Sequence, residues 1–271
     1  MSSNNSNYRI QSFSALSSHA LCGEQYRMKY IEGVPSFLSP RAAAGVAFHA
    51  AIEAYFKAIL DTGEALAFDE IKKAVADKFA ELEADSCLRP GTEADANNLI
   101  GEVETCLEKL HQDFLARVRP LAVEVELECR VGAVDMRGRI DLIGEIDGRT
   151  EIIDFKLKSR TPSAIDATQM VVYGHLARTF ADVNPTFPRP ERGRYVVCVA
   201  KRAGVDIVEF EVEIPDRLDG VAAEIEERAR AIEAGVFPPA PADAWICSPD
   251  YCDYFGMCRF TQAGERKAIR R

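Results

Sequence analysis

The segment MRGRIDLIGEIDGRTEIIDFK, residues 136–156, decides the expected fold. Apolar and polar residues alternate on both sides of Asp147-Gly148, the dipeptide most typical of a two-residue β-hairpin loop. We therefore predict two antiparallel strands, Met136–Ile146 and Arg149–Lys156, joined by this loop. Such a loop also sets the register, since it places the last residue of one strand opposite the first residue of the next.

The predicted register brings two acidic residues together. Moving outward from Ile146 and Arg149, it pairs Asp141 with Asp154. Directly opposite residues share a face of the sheet, with Cβ atoms roughly 5 Å apart, so two carboxylates there repel each other. A divalent cation removes this repulsion and finds the hard oxygen ligands that it prefers. Lys156 projects from the same face, where an ammonium group can orient an attacking water or stabilise developing negative charge.

The other face of the predicted hairpin is apolar, with Ile140, Leu142, Ile153 and Phe155 between the charged positions. A surface hairpin that carries acids and bases on its polar face is the alternative interpretation. The apolar opposite face, and a register that the loop sets independently of any motif, favour the metal site.

Helices dominate the sequence before the hairpin, and strands and helices both follow it. The predicted helices are Ser12–Glu32 with Ser14 or Ser17 as N-cap, Arg41–Leu60, Phe68–Glu83, Glu93–Arg117, Thr161–Ala181 and Asp216–Ala234. The further predicted strands are Ala122–Val131, Arg194–Lys201 and Val205–Ile214. This order favours an α/β fold with a mixed central sheet, with α+β as the alternative. We expect one domain over residues 1–271, divided into a helical part (12–119), a sheet and helix (120–215), a helix and cysteine segment (216–260) and a basic tail (261–271).

The composition is that of an ordinary globular chain, 47% hydrophobic and 28% charged. The net charge of -10 weighs against loose binding of nucleic acid over the whole surface, but it allows a local basic groove beside an acidic metal site. No long uncharged apolar stretch indicates a membrane span, and the polar first ten residues do not resemble a secretory signal. We therefore predict a cytoplasmic protein that does not bind membranes.

The eight cysteines fall into two groups. One group lies in regular helix or strand patterns, where cysteine behaves as a small buried hydrophobe: Cys87, Cys106, Cys129 and Cys198. Three others, Cys247, Cys252 and Cys258, lie close together in a segment rich in aromatic residues. Thiolates bind both iron–sulfur clusters and structural zinc, and the spacing alone does not distinguish these cofactors.

Two motifs of the chain resemble those of the PD-(D/E)XK nucleases. The core motif of that superfamily is similar to residues 138–141, Gly-Arg-Ile-Asp, followed by Asp154-Phe155-Lys156. Gln169 and Tyr173 resemble the QxxxY motif of its RecB-type branch. His49 resembles the helical histidine that is an additional metal ligand in that branch. The resemblance implies a restriction-endonuclease-like core, hydrolysis of DNA phosphodiesters and dependence on Mg²⁺ or Mn²⁺.

The same resemblance implies a role for each matching residue. The implied metal ligands are His49, Asp141, Asp154 and the backbone carbonyl of Phe155. Lys156 would position or activate the attacking water, and Gln169 and Tyr173 would hold Lys156 or the DNA backbone.

Several nearby residues are weaker candidates. Arg139, Lys158 and Arg160 are candidate phosphate contacts, and Glu126 is a candidate for the outer shell of the metal. The remaining histidines have no supporting context and are interpreted as structural or solvent-facing: His19, His111 and His175.

A fourth cysteine joins the three of the tail in a further resemblance. The cysteine strap of the iron–sulfur nucleases is similar to the set of Cys22, Cys247, Cys252 and Cys258. These nucleases include the AddB nuclease domain and CRISPR-associated RecB-type exonucleases. The resemblance implies a [4Fe-4S] cluster bound by these four residues, with structural Zn²⁺ as the alternative. The more familiar strap has two residues between its first two tail cysteines. This chain departs from that spacing, because four residues, Ser248 to Tyr251, separate Cys247 from Cys252.

We expect an exonuclease that acts on DNA ends or single strands, in recombination, repair or phage DNA metabolism. Two other functions stay open. One is a subunit of a CRISPR-adaptation or recombination complex that acts mainly through protein partners. The other is a non-catalytic DNA-binding module stabilised by zinc, which the intact Asp141, Asp154 and Lys156 disfavour.

Overall fold

The computed structural model describes residues 10–201 and 204–262. The contacts within the chain divide it into two compact units. We call residues 38–129 and 138–218 the central unit, and the residues up to 37, 130–137 and from 219 onward the terminal unit. Of the predicted basic tail, residues 263–271 lie outside the described residues. The assignment of the whole chain to one nuclease domain stays a prediction.

Helices dominate the first part of the chain, and strands and helices both occur in the rest. In chain order the elements are β1 (Ile10–Ser12), α1 (Phe13–Leu21), α2 (Gly23–Tyr26), a π-helical turn (Arg27–Ile31), α3 (Pro40–Thr62), α4 (Phe68–Ala84), α5 (Glu93–Asn97), α6 (Ile100–Asp113), a 3-10 turn (Leu115–Arg117), β2 (Arg119–Val131), β3 (Val134–Ile146), β4 (Arg149–Lys158), α7 (Thr168–Val183), β5 (Arg192–Lys201), β6 (Gly204–Glu213), α8 (Asp219–Glu233) and α9 (Arg259–Gln262).

Helix α3 forms the centre of the helical part of the central unit. Ser39 caps its N-terminus, Pro40 occupies its first position, and Gly63 ends it in a left-handed conformation. By length and composition alone this helix could cross a membrane. Phe48 and Phe56, however, are fully buried in the core of the central unit, so we interpret α3 as a core helix.

A mixed sheet forms the other part of the central unit. Strands β3 and β4 pair antiparallel, β4 and β5 parallel, and β5 and β6 antiparallel, while β2 pairs with β3. Strand β5 is buried along most of its length on both faces, as is usual for a strand with a parallel neighbour. The sheet and its helices confirm the predicted α/β class.

The predicted hairpin is present in the central unit. Asp147 and Gly148 both have positive φ, as the central residues of a type I′ turn require. The register pairs the residues on either side of the loop as predicted and continues to Leu142 opposite Ile153. Asp141 and Asp154 lie one step beyond this last pair.

Two predicted helices differ from the observed ones. Helix α7 begins at Thr168 rather than Thr161, and residues 161–167 form no helix. Pro162 disfavours helical backbone at Thr161, and the side chain of Asp166 accepts a hydrogen bond from the N–H of Thr168 where the helix begins. The helix predicted over Glu93–Arg117 is divided into α5, α6 and the 3-10 turn. The division follows Asn97 and Asn98, which have low helix propensity.

In the terminal unit, the helix predicted over Ser12–Glu32 is interrupted at Cys22, which has an extended backbone with φ -160° and ψ 104°. The N-cap of α1 is Ser12 rather than Ser14 or Ser17, because the Ser12 side chain accepts a hydrogen bond from the N–H of Ala15 at 3.1 Å. Strand β1, just before this cap, pairs in parallel with residues 135–137.

The interruption has a cause distant in sequence. Next to Cys22, the Gly23 N–H donates a hydrogen bond to the carbonyl of Pro238 at 2.7 Å. A Cβ on Gly23 would lie 2.8 Å from the backbone of Phe237, so only glycine fits at this crossing. The local sequence pattern carries no sign of this contact, and for that reason the prediction of one continuous helix was wrong.

Candidate active site

The candidate site of the central unit contains the two acids of the hairpin and the histidine of α3. The His49 Nδ1 lies 3.1 Å from the Asp141 Oδ2. The side chain of Asp154, on the neighbouring strand, is only 6% exposed, whereas that of Asp141 is 22% exposed. The three residues that were predicted as side-chain metal ligands are therefore part of one electrostatically connected group.

Both acids carry a buried oxygen atom that accepts no hydrogen bond. These atoms are the Oδ2 of Asp141 and the Oδ2 of Asp154. Nitrogen atoms of His49 and Lys156 approach them at 3.1 and 2.8 Å, but in directions that do not satisfy hydrogen-bond geometry. Buried carboxylate oxygens without donors are unfavourable, and a bound cation would satisfy them.

The electrostatics of the site also reflect crowding of negative charge. Burial raises the pKa of Asp154 to about 6, and the charge of Asp141 adds to this effect although Lys156 opposes it. Burial alone would lower the pKa of His49, but its close contact with Asp141 and the charges of both acids outweigh burial and raise that pKa above its ordinary value. The site therefore favours additional positive charge.

The donor set fits a divalent cation in its chemistry. Two carboxylates and one neutral imidazole are suitable ligands for Mn²⁺ and acceptable for Mg²⁺. In residues 10–201 and 204–262, no group of three or more His, Cys, Asp or Glu side chains is already gathered closely enough to hold a metal ion. Binding would therefore require these side chains to converge further.

Lys156 lies among three groups of the site. Its Nζ is 2.8 Å and 3.0 Å from the two carboxylate oxygens of Asp154, and 3.4 Å from the Oε1 of Gln169. The ammonium also lies over the ring of Tyr195, 5.7 Å from the ring centroid. Burial raises the pKa of Tyr173, and its interaction with the side chain of Gln169 partly opposes this effect. The structure thus brings Lys156, Gln169 and Tyr173 together, as the sequence motifs led us to expect.

A glycine allows α7 to approach this part of the sheet. A Cβ on Gly138 would lie 2.8 Å from the ring of Tyr173 and 2.7 Å from the side chain of Leu176. Gly138 is the first residue of the Gly-Arg-Ile-Asp motif, so its role is to admit the helix that carries Gln169.

Sequence reasoning missed one acid of the site. Glu124 lies near Asp141, and burial together with the charge of Asp141 raises the pKa of Glu124. Glu126, the candidate for the outer shell of the metal, is exposed, and that role stays a prediction. Glu124 has φ 52° within β2, a conformation that a simple strand pattern does not predict. Its carboxylate forms an ion pair with Arg139, and its side chain is only 11% exposed.

The remaining predicted site residues differ in how exposed their side chains are. Lys158 and Arg160 are exposed at the end of β4 and just beyond it. The side chain of Phe155 is fully buried between Phe56 and Phe114. The role of the Phe155 carbonyl as a metal ligand stays a prediction.

The terminal unit contains the cysteine group. One cavity of about 30 Å³ is lined by Cys22, Cys247, Cys252 and Cys258, together with apolar residues such as Met28 and Phe255. The Cys22 Sγ accepts a hydrogen bond from the N–H of Ala240 at 3.3 Å, as a metal-bound thiolate commonly does. Burial, reinforced by the other three cysteines, raises the pKa of Cys252 to about 11. The four cysteines thus share one cavity, but their side chains, like the other Cys, His, Asp and Glu side chains of the described residues, are not gathered closely enough to hold a metal ion.

The remaining cysteines do not belong to this cavity. Cys106 and Cys198 are completely buried in the core of the central unit, and Cys87 and Cys129 are half-buried. His19 is also accounted for structurally, since its Nε2 hydrogen-bonds to the carbonyl of Val236 at 2.9 Å.

Comparison with known proteins gives three findings. A profile of the PD-(D/E)XK nuclease superfamily matches residues 11–259. No curated protein matches the chain. Among solved structures, a candidate exonuclease from Eubacterium rectale is 11% identical, with a TM-score of 0.53, and the alignment covers 100% of this chain and 95% of that one. The structure of SSO0001 is 17% identical, with a TM-score of 0.36, over 92% of this chain and 95% of that one.

Proposed function

Because the chain belongs to the PD-(D/E)XK nuclease superfamily, we propose that it is a deoxyribonuclease that hydrolyses phosphodiester bonds with Mg²⁺ or Mn²⁺ at the site of Asp141 and Asp154. The observation that carries the proposal is the pair of buried Oδ2 atoms that accept no hydrogen bond, beside the ammonium of Lys156. A core that kept such atoms without function would be destabilised by them.

Each residue of the site has a proposed part in the reaction. Asp141, Asp154 and His49 would hold the cation, with the Phe155 carbonyl as a further ligand. When bound, a divalent cation lowers the pKa of a coordinated water and polarises the phosphoryl group. Lys156 would hold the attacking water or neutralise charge on the phosphate in the transition state.

The contacts of Lys156 support its proposed role in the reaction. The Oε1 of Gln169 lies 3.4 Å from its Nζ and a carboxylate oxygen of Asp154 lies 2.8 Å from it, so the ammonium is held on the side of the acids. The exposed Lys158 and Arg160 would contact the phosphates that flank the scissile bond. Arg139 already pairs with Glu124, and we propose that it contacts phosphate from that position.

We favour exonuclease action on DNA ends or single strands. The support is the fold shared with the Eubacterium rectale protein, which is described as an exonuclease candidate. A role in recombination, repair or phage DNA metabolism, a cytoplasmic location and a protein partner in recombination or CRISPR adaptation belong to the same proposal.

The test is cleavage of end-labelled single- and double-stranded DNA with Mg²⁺, Mn²⁺ or EDTA. Wild-type protein should release short products only with a metal, and should spare closed circular DNA if it needs an end. Asp141→Asn should lower the rate by on the order of 10²-fold or more, since it removes a metal ligand. Asp135→Asn, an exposed aspartate of the same strand, is the matched control and should cleave normally. Normal cleavage by Asp141→Asn would refute the assignment.

We further propose that the four cysteines of the terminal unit bind a [4Fe-4S] cluster, with Zn²⁺ as the alternative occupant. The support is their position around one cavity with apolar walls. Fe–S clusters need four thiolates and protection from water, and both features are compatible with this cavity.

A further inference from the structure

The first turn of α7, which carries Gln169, lacks a cap from its own N-cap residue. That residue is Ala167, whose methyl group cannot accept a hydrogen bond. The first backbone N–H groups of a helix have no partner within the helix and need one elsewhere. The Oδ1 of Asp166 accepts from the N–H of Thr168 at 2.9 Å, which satisfies one of them.

The sheet supports the residue that caps this turn. The hydroxyl of Tyr195, a residue of β5, donates a hydrogen bond to the carbonyl of Asp166 at 3.3 Å. Because the side chain of Asp166 accepts from the N–H of Thr168, the Tyr195 hydroxyl holds the capping residue at the start of the helix.

The ring of Tyr195 contacts the ammonium group of Lys156. Tyr195 is paired in register with Asp154 of β4, and it is 1% exposed. Its ring lies beneath the Nζ of Lys156 at 5.7 Å, within the range of a cation–π interaction. One side chain thus touches Lys156 through its ring and the start of the Gln169 helix through its hydroxyl.

We propose that Tyr195 is a positioning residue of the nuclease, which fixes Lys156 directly and Gln169 through the first turn of α7. This inference rests on the proposed function. A lysine side chain has many rotamers, so groups that hold its ammonium in one place reduce the loss of entropy on reaching the transition state. Buried tyrosine suits both tasks, because its ring is rigid and its hydroxyl both donates and accepts.

The two parts of the side chain can be separated by substitution. Tyr195→Phe keeps the ring and removes the hydroxyl, so it should loosen the helix start and lower kcat by between about 10- and 100-fold, while KM changes less than about twofold. Tyr195→Leu also removes the ring and should lower kcat further, toward the value of Lys156→Ala. Tyr55→Phe removes a buried tyrosine hydroxyl from α3 and is the matched control, with kcat unchanged.

A double-mutant cycle distinguishes positioning from general damage. If the hydroxyl acts through Gln169, Tyr195→Phe should change kcat by less than about twofold once Gln169→Ala is present, because interacting residues are not additive. Equal losses of kcat in the wild-type and Gln169→Ala backgrounds would overturn the proposal, as would a wild-type kcat in Tyr195→Phe.

An activity-independent measurement keeps the two proposals apart. Amide hydrogen exchange in the first turn of α7 should be faster in Tyr195→Phe than in wild type, and unchanged in Tyr55→Phe. Protein that cleaves no DNA refutes the proposed function, but the exchange experiment still decides whether Tyr195 stabilises the start of α7 through Asp166. Unchanged exchange in Tyr195→Phe would overturn the inference even if the wild-type protein is an active nuclease.

Discussion

Replacing Asp154 by asparagine should stabilise the metal-free protein while abolishing cleavage. Asp154 is 5% exposed, and burial together with Asp141 raises its pKa from the ordinary 3.8 to about 6. The difference is about 2 units, and each unit corresponds to about 1.4 kcal/mol, so keeping Asp154 ionised costs roughly 3 kcal/mol of folding free energy. Asparagine carries no charge at any pH and avoids this cost. The pKa of about 6 already includes the attraction of Lys156. Asparagine places a buried amide N–H group beside that ammonium, at a cost of about 1 kcal/mol, so we expect a net gain of about 2 kcal/mol.

The raised pKa of Asp154 also predicts how the effect of Asp154→Asn on stability changes with pH. Because the pKa is raised in the folded state, the contribution of Asp154 to stability is fully present below about pH 4 and is lost as the pH rises through about 6. The advantage of Asp154→Asn should therefore be present at pH 7.5 and largely absent at pH 4.5. Asp61→Asn, an exposed aspartate of α3, should show no such difference.

Urea unfolding in EDTA at the two pH values measures this effect, and thermal unfolding should show the same order. A gain of about 2 kcal/mol corresponds to a rise in Tm of roughly 4–8 °C for a protein of this size. Added Mg²⁺ or Mn²⁺ should stabilise wild type more than the variant, because only wild type keeps both carboxylates. A variant that is less stable than wild type at pH 7.5 in EDTA, or whose gain is the same at both pH values, would refute the reasoning.

Three further predictions use other parts of the chain. Gly138→Ala should lower kcat and destabilise the fold by about 1–3 kcal/mol, since its Cβ would press on the ring of Tyr173; unchanged activity and stability would contradict the close packing. Lys156→Ala should lower kcat by on the order of 10²-fold, whereas Lys158→Ala should mainly weaken DNA binding and reduce its salt dependence by roughly one phosphate; equal behaviour of the two variants would remove Lys156 from the chemistry. Protein purified without oxygen should be brown and contain iron, and Cys252→Ala should be colourless; colourless wild type with stoichiometric zinc would exclude the cluster and leave the nuclease proposal intact.

The hairpin was predictable because all its determinants are local. The Asp147-Gly148 loop sets the register, and alternation on both strands assigns each residue to a face. Asp141, Asp154 and Lys156 follow from that register without knowledge of any other element. The interruption at Cys22 was not predictable in this way, because it arises where Gly23 meets Pro238, more than two hundred residues later.

The groups that orient the site also depend on contacts between residues distant in sequence. Lys156 is placed between Asp154, Gln169 and the ring of Tyr195, but only Asp154 is near it in sequence. In the sequence, Tyr195 resembles an ordinary apolar residue of a buried strand, and its relation to α7 depends on the hydrogen bond that it donates to the carbonyl of Asp166. A motif therefore identifies which side chains can do the chemistry, whereas their orientation depends on partners whose own sequence surroundings show nothing unusual. For that reason, substitutions at Tyr195 test what the three-dimensional arrangement adds, and substitutions at Asp141 or Asp154 test what the motif alone predicts.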